Sequence, residues 1–245
     1  MGKPNDQDRL RRARDYPYDI PRTSFLYGHD GLCDFDPRQR VGRTPVLAIG
    51  SNQSPLRLAQ KFGPDSPYPD PTHQIPVERV VLDDFDVVYS AHISSYGAVP
   101  AMLQHSLGAK VELAITWLDQ TQLTIMHESE MQTANYQYGT LENVVLKLIH
   151  DGQILNQITL YISSRGHLNH EGGAYSLAVI PCENRQTPAI TTAEALDIVR
   201  VRTDAGQDAD GFTLRLIDDA PYRRDIVEQI SQDAVRFGYG YKILA

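Results

Sequence analysis

Cysteine is nearly absent: Cys33 and Cys182 are the only two in 245 residues. Two thiols build neither a disulfide framework nor a metal quartet, and neither sits in a motif that would activate it as a nucleophile. That usage fits a reducing compartment, and the chain is expected in the cytoplasm. No apolar run approaches the roughly 20 residues of a bilayer-spanning helix, and the first residues carry no apolar signal-peptide core. Positive charge is in deficit, with a formal net charge of −8. A general affinity for nucleic acid or anionic membrane is therefore not expected. The standard phosphate motifs are missing too: there is no GxxxxGK[ST] and no GxGxxG, so a nucleotide is not the first ligand to consider.

What is present is a chain long enough to bury a full core without staples. It is organised around Thr44 to Gly63. Val46, Leu47, Ala48 and Ile49 form a short apolar run between Pro45 and Gly50, which predicts a buried strand. Gly50 lets the backbone turn sharply, and Ser51, Asn52 and Ser54 are able to cap the next helix. Pro55 suits a first helical turn; Leu56, Leu58, Ala59 and Phe62 supply an apolar face; Gly63 and Pro64 end the helix. The expected product is a strand, a tight polar turn and a helix N-terminus whose free N–H groups converge. Such a spot favours a carboxylate or phosphate, although most strand-to-helix connections hold no anion.

Residues 1–44 read as an N-terminal extension. Its first fifteen residues, with Arg9, Arg11, Arg12 and Arg14, predict a solvated, partly disordered arm, and Tyr16 to Thr44 an extended segment wrapped over the fold. Residues 45–182 read as the core. Five prolines between 63 and 76 predict a surface loop. Strands are predicted over 77–82, 85–90, 109–117, 141–149 and 154–162, with Asp151 and Gly152 as a hairpin turn between the last two. A short helix over 119–131, capped by Asp119 or Thr121, aligns Leu123, Met126 and Glu130. A carboxylate on an apolar face is costly unless paired, protonated or used. Glu128, about 200° around the same helix, is more easily solvated. Strands dominating two short helices predict an α+β domain with a small, curved, barrel-like sheet.

His167, His170 and Glu171 lie in a glycine-rich loop. Imidazole and carboxylate suit zinc, but the spacing is not the helical HExxH arrangement, and a polar loop over the site is the expected role. No metal and no cofactor are expected. Residues 183–245 read as a C-terminal extension: a capping box at Thr191 to Glu194 opening a helix, a solvated acidic loop at 204–210, a strand over 212–217, and an amphipathic helix over 219–237 packed on the core.

The segment Ala48 to Asn52 (AIGSN), and later Leu123, Met126, His127 and Glu130 followed by Tyr136, resemble the two motifs of the γ-glutamylcyclotransferase family and its AIG2-like relatives. That family opens on a strand ending in YGSN and carries a later LxxLDxxEG helix with a tyrosine after it. Here Ile49 stands in the tyrosine position of the first motif and Met131 in the glycine position of the second. About residues 44 to 165 are covered. The resemblance implies a small-molecule substrate with a γ-glutamyl or similar amino-acid-like group. Ile49, Gly50, Ser51 and Asn52 would hold it through backbone donors, with Tyr161 nearby. Glu130 would be the general acid/base that helps the substrate's amine close a ring and release 5-oxoproline, and Tyr136 would orient substrate or carboxylate. The competing expectation is a catalytically inactive relative that binds a small molecule or serves in assembly. Oligomeric state is open.

Overall fold

The structure, a computed structural model, describes residues 5–28, 30–67, 69–70, 74–131, 135–169 and 171–244. Helix α1 (Asp6–Arg14) comes first, its N-terminus capped by the Asn5 side chain, which accepts from the Asp8 N–H at 2.9 Å. The expected solvated arm is thus a docked helix. Leu10 and Ala13, three positions apart, bury one face, while Arg9 and Arg14 pair with Asp218 and Asp210. Two apolar residues at helical spacing outweigh the arginines because the arginines occupy the other faces.

Strands β1 (Phe25–Gly28) and β2 (Gly31–Asp34) form an antiparallel hairpin. Strand β3 (Thr44–Ala48) is the short buried run expected at the centre of the chain. It leads through one 3-10 turn, Ser51–Gln53, into helix α2 (Pro55–Phe62). Strand β4 (Ile75–Tyr89) merges two predicted strands. The polar pair that divides them in sequence is a bulge at Asp84, which takes a left-handed φ of 65°, and a bulge bends a strand without ending it. Strand β5 (Ala101–Leu118) and helix α3 (Gln120–Glu130) follow, the helix opened by a capping box between Asp119 and Gln122. Strands β6 (Tyr136–Leu148) and β7 (Ile154–Ser163) are paired antiparallel.

These parts close a barrel. β4 pairs with β5, β5 with β3, β3 with β7, β7 with β6, and β6 returns to β4. All the pairings are antiparallel except β3 with β7, so the five-stranded barrel is mixed. Closure satisfies the strand edges internally, and Leu82, Leu113, Ile115, Leu146 and Leu160 fill the interior. The short pieces β8 (Ser176–Leu177), β9 (Cys182–Glu183) and β10 (Ala189–Ile190) extend the sheet.

The C-terminal part is helical: α4 (Thr192–Thr203), α5 (Ala209–Asp218) and α6 (Ala220–Ser231), then β11 (Tyr241–Ile243) pairing with β6. Thr191 and Glu194 form the expected capping box. The strand expected over 212–217 is helix α5. Phe212, Thr213 and Leu216 are its buried residues, a spacing that suits a helix, and the Asp208 carboxylate accepts from the N–H groups of Asp210 and Gly211. The helix expected to reach Phe237 stops at Ser231, and Val235 instead bridges to His167. Leu196, Phe212, Ile226 and Ile230 share one apolar core with the barrel strands. No helix among the described residues is long and apolar enough to cross a membrane.

Candidate active site

The chain leaves the barrel where β3 ends. At Gly50 a side chain is excluded by close approach, since a Cβ there would strike the Tyr16 hydroxyl. That hydroxyl accepts from the Ala101 N–H at 3.0 Å, and burial raises its pKa to about 12 against the lowering effect of the Ala101 and Ser51 backbone amides. The 3-10 turn uses two further amides internally: Gln53 donates to the Gly50 carbonyl at 3.1 Å and Ser54 to the Ser51 carbonyl at 2.8 Å. The Gln53 side chain, fully buried, accepts from Arg79 Nη1 at 2.8 Å and fixes the turn from beneath. Sequence reasoning therefore needs two corrections. The polar residues do not cap α2 through their side chains, and the donors near the turn belong to the extra 3-10 turn, where the Gln53 and Ser54 amides are already bonded.

Helix α3 brings the carboxylate to this turn. Leu123 and Met126 bury its inner face and Glu130 ends it, so the carboxylate emerges along the apolar stripe. Asn52 Nδ2 donates to Glu130 Oε1 at 3.1 Å, and the ammonium of Lys61 makes an ion pair with the same oxygen. Burial acts to raise the pKa of Glu130, but the charge and hydrogen bond of Lys61, with help from Asn52 and Arg57, bring it below the usual carboxylate value. Burial lowers the Lys61 ammonium to about 8, with Glu130 opposing the fall. At neutral pH both groups are charged. Asn52 Oδ1, buried beside them, has no hydrogen-bond partner among the described residues. Glu128 lies exposed on the opposite face of the helix.

Turn and carboxylate share the wall of a cavity of about 530 Å³. Ile49, Gly50, Ser51, Asn52, Glu130, Tyr136 and Tyr161 all line it. Tyr136 presents a hydroxyl that no side chain among the described residues engages; burial first, then the neighbouring Tyr16 and Glu130, raise its pKa well above the ordinary value. Tyr161 differs, because its hydroxyl lies 2.9 Å from His127 Nδ1, leaving chiefly its ring for the cavity. His167 is buried away from this wall, with its Nδ1 3.2 Å from the Leu168 carbonyl oxygen. His170 lies outside the described residues. Among the described residues no three His, Cys, Asp or Glu side chains gather as metal ligands.

Sequence reasoning missed Tyr16 and Lys61. Tyr16 gives no local signal, since it reaches Gly50 only through the docking of α1. Lys61 gives one: it falls three residues after Leu58 and beside Phe62, on the apolar face of α2, where a lysine needs a partner. Its side chain is only 2% exposed.

No protein-family model matches the chain, and no curated protein matches it. Similar solved structures do exist. A solution structure of an Arabidopsis thaliana protein is 14% identical with a TM-score of 0.36, covering 54% of this chain and 74% of that one. An uncharacterized protein from Homo sapiens is 14% identical with a TM-score of 0.36, covering 90% and 94%. A gamma-glutamyl cyclotransferase is 14% identical with a TM-score of 0.37, covering 82% of this chain and 92% of that one. Solved structures similar to the chain thus include one that bears the name of the family its two motifs resemble.

Proposed function

We propose that this protein is a γ-glutamylcyclotransferase-like enzyme that cyclises a γ-glutamyl amide, releasing 5-oxoproline and an amine. The observation that carries this reading is the meeting of Glu130 and Asn52 at 3.1 Å on the wall of one cavity with the Gly50 turn. The substrate's α-ammonium takes its place against the Glu130 carboxylate, which keeps part of its surface open to the cavity. Glu130, already ionised, removes a proton. The freed amine attacks the γ-carbonyl carbon, a C–N bond forms, and the tetrahedral intermediate collapses with cleavage of the original amide bond. Glu130 returns the proton to the departing nitrogen, and the second proton that the attacking nitrogen sheds as the lactam forms goes the same way, so that the amine leaves as an ammonium. Attacking and attacked atoms belong to one molecule, so no protein nucleophile is required and the cavity acts by holding a folded conformer. Tyr136, with its hydroxyl free and strongly protonated, donates a hydrogen bond to the substrate.

A second reading, a non-catalytic binding protein, is favoured by one observation: Lys61 holds the Glu130 oxygen that would serve as base. Incubation of the purified chain with a panel of γ-glutamyl amides and peptides, with chromatographic detection of products, separates the two. The enzyme reading expects 5-oxoproline and free amine in equal amounts from at least one member. Binding of panel members with no 5-oxoproline from any of them would leave the binding protein.

A further inference from the structure

The same cavity wall carries charges to which the cyclisation gives no role: Arg57, Arg165, Arg223 and Arg224, together with Glu228. Among the described residues, eleven of the chain's eighteen arginines are in ion pairs: Arg9, Arg11, Arg14, Arg38, Arg40, Arg43, Arg79, Arg185, Arg200, Arg202 and Arg215. The four at the cavity are not in that set. Among the described residues, Arg57 donates to the neutral Gln60 Oε1 at 3.0 Å, Arg165 to Asn135 Oδ1 at 2.8 Å, and Arg223 to the carbonyl oxygens of Leu216 and Ile217. Neutral acceptors orient a guanidinium without cancelling its charge. Arg224 is exposed on α6.

Glu130 is balanced by Lys61, so the cavity wall sets four guanidiniums against the single carboxylate of Glu228. In a protein of net charge −8, three half-buried guanidiniums on neutral acceptors beside a fourth, exposed one form a cationic wall that an anion would complete. His92, on the same wall, responds to the field: burial first, then the charges of Arg165 and Arg223, lower it to about 4, so it stands neutral. Arg57 and Arg12 flank the ring of Tyr96 at 6.0 and 4.9 Å, which places Arg57 at an aromatic rim of the cavity.

We infer that the half of the substrate leaving as an amine carries at least two negative charges, carboxylate or phosphate, and is bound by Arg57, Arg165, Arg223 and Arg224. This rests on the cyclotransferase reading for the position of the scissile amide, and on the unpaired arginines for the charge of what lies beyond it. Guanidinium forks match both carboxylate and phosphate oxygens, so the chemistry is shared between an acidic amino acid and a phosphorylated amine.

The test compares three amides: γ-glutamylglutamate, the γ-glutamyl amide of phosphoethanolamine, and γ-glutamylpropylamide, whose departing half is neutral. Calorimetric binding is measured on full-length Glu130→Gln protein, which separates affinity from turnover, and kcat/KM on the wild type. Both anionic amides are expected to bind about tenfold or more tightly than the propylamide, a difference of about 1.4 kcal/mol. The gap should narrow as salt rises from about 50 to about 300 mM, and shrink severalfold in Arg165→Gln and in Arg224→Gln. The second variant alters an exposed side chain and keeps the test available should the first fail to fold. The tighter of the two anionic arms identifies dicarboxylate or phosphate. Equal affinity for all three amides would overturn the inference, and if 5-oxoproline were still released the cyclotransferase reading would survive. A preserved preference without 5-oxoproline from any arm would do the reverse.

Discussion

Glu78, paired with Arg40, and Glu130, paired with Lys61, are both carboxylates largely withdrawn from water. Glu78 is fully buried, and its oxygens are taken by both sides of the Arg40 fork and by Trp117 Nε1 at 3.1 Å, while Arg40 continues to Asp151 at 2.7 Å. Burial pushes its pKa up, and Arg40 only partly offsets this. Glu130 keeps 17% of its side chain exposed and opens on the cavity, where Lys61, Asn52 and Arg57 outweigh burial and pull its pKa down. A carboxylate saturated by protein donors can only brace the barrel. One with a face toward a cavity can exchange a protein partner for a ligand.

The largest effect on stability is therefore expected at the brace. Glu78→Gln sets an amide donor against the Arg40 fork and Trp117 Nε1, so buried donors lose an acceptor, and it should cost about 1–3 kcal/mol in chemical denaturation. A loss below about 0.5 kcal/mol would remove the distinction between the two carboxylates.

The two sites should also respond to pH with opposite sign. Glu130 has a folded-state pKa below its unfolded one, so its stabilisation is present above the unfolded pKa and is lost as pH falls through the folded one. Glu78, raised by burial, binds its proton more tightly when folded, and stability falls as pH rises from the unfolded toward the folded value. Denaturation across the acid range should show Glu130→Gln removing a loss on acidification and Glu78→Gln removing a loss on alkalinisation; the same sign in both would contradict the assignment.

Next in size is Lys61→Met, which fills the space beside Met126 without charge. With the main lowering influence gone, the Glu130 pKa rises and the acid limb of the pH–rate profile moves to higher pH. An unmoved limb would mean that Lys61 does not set the carboxylate. A smaller effect is expected from Tyr16→Phe, which strips the partner from the buried Ala101 amide and should destabilise by about 1–2 kcal/mol. The smallest belongs to Glu128→Gln. Its side chain is exposed, so stability should stay within about 0.5 kcal/mol and the rate unchanged; a rate loss there would move the base to the other face of α3.

Much of the barrel is legible in the chain because its strands alternate or run apolar, as Val111, Leu113, Ile115 and Trp117 do, and because Asp151 and Gly152 mark a hairpin. The turn and the carboxylate are legible for a different reason: Gly50 interrupts an apolar run, and Glu130 continues an apolar stripe. Illegible parts depend on distant partners. Helix α1 looks like a charged arm until α5 supplies Asp210 and Asp218 for its arginines. Helix α5 looks like a strand because Phe212, Leu214 and Leu216 alternate, and only the burial of Phe212, Thr213 and Leu216 shows the helical period. The unpaired arginines are scattered over three distant segments, and no local pattern announces that they meet.

The most direct measurement is 5-oxoproline release by Glu130→Gln beside Glu78→Gln, each assayed where circular dichroism shows it folded. Release should fall about a hundred- to ten-thousand-fold in Glu130→Gln and stay near the wild-type rate in Glu78→Gln. Equal rates in the two variants would contradict the role given to the carboxylate at the cavity.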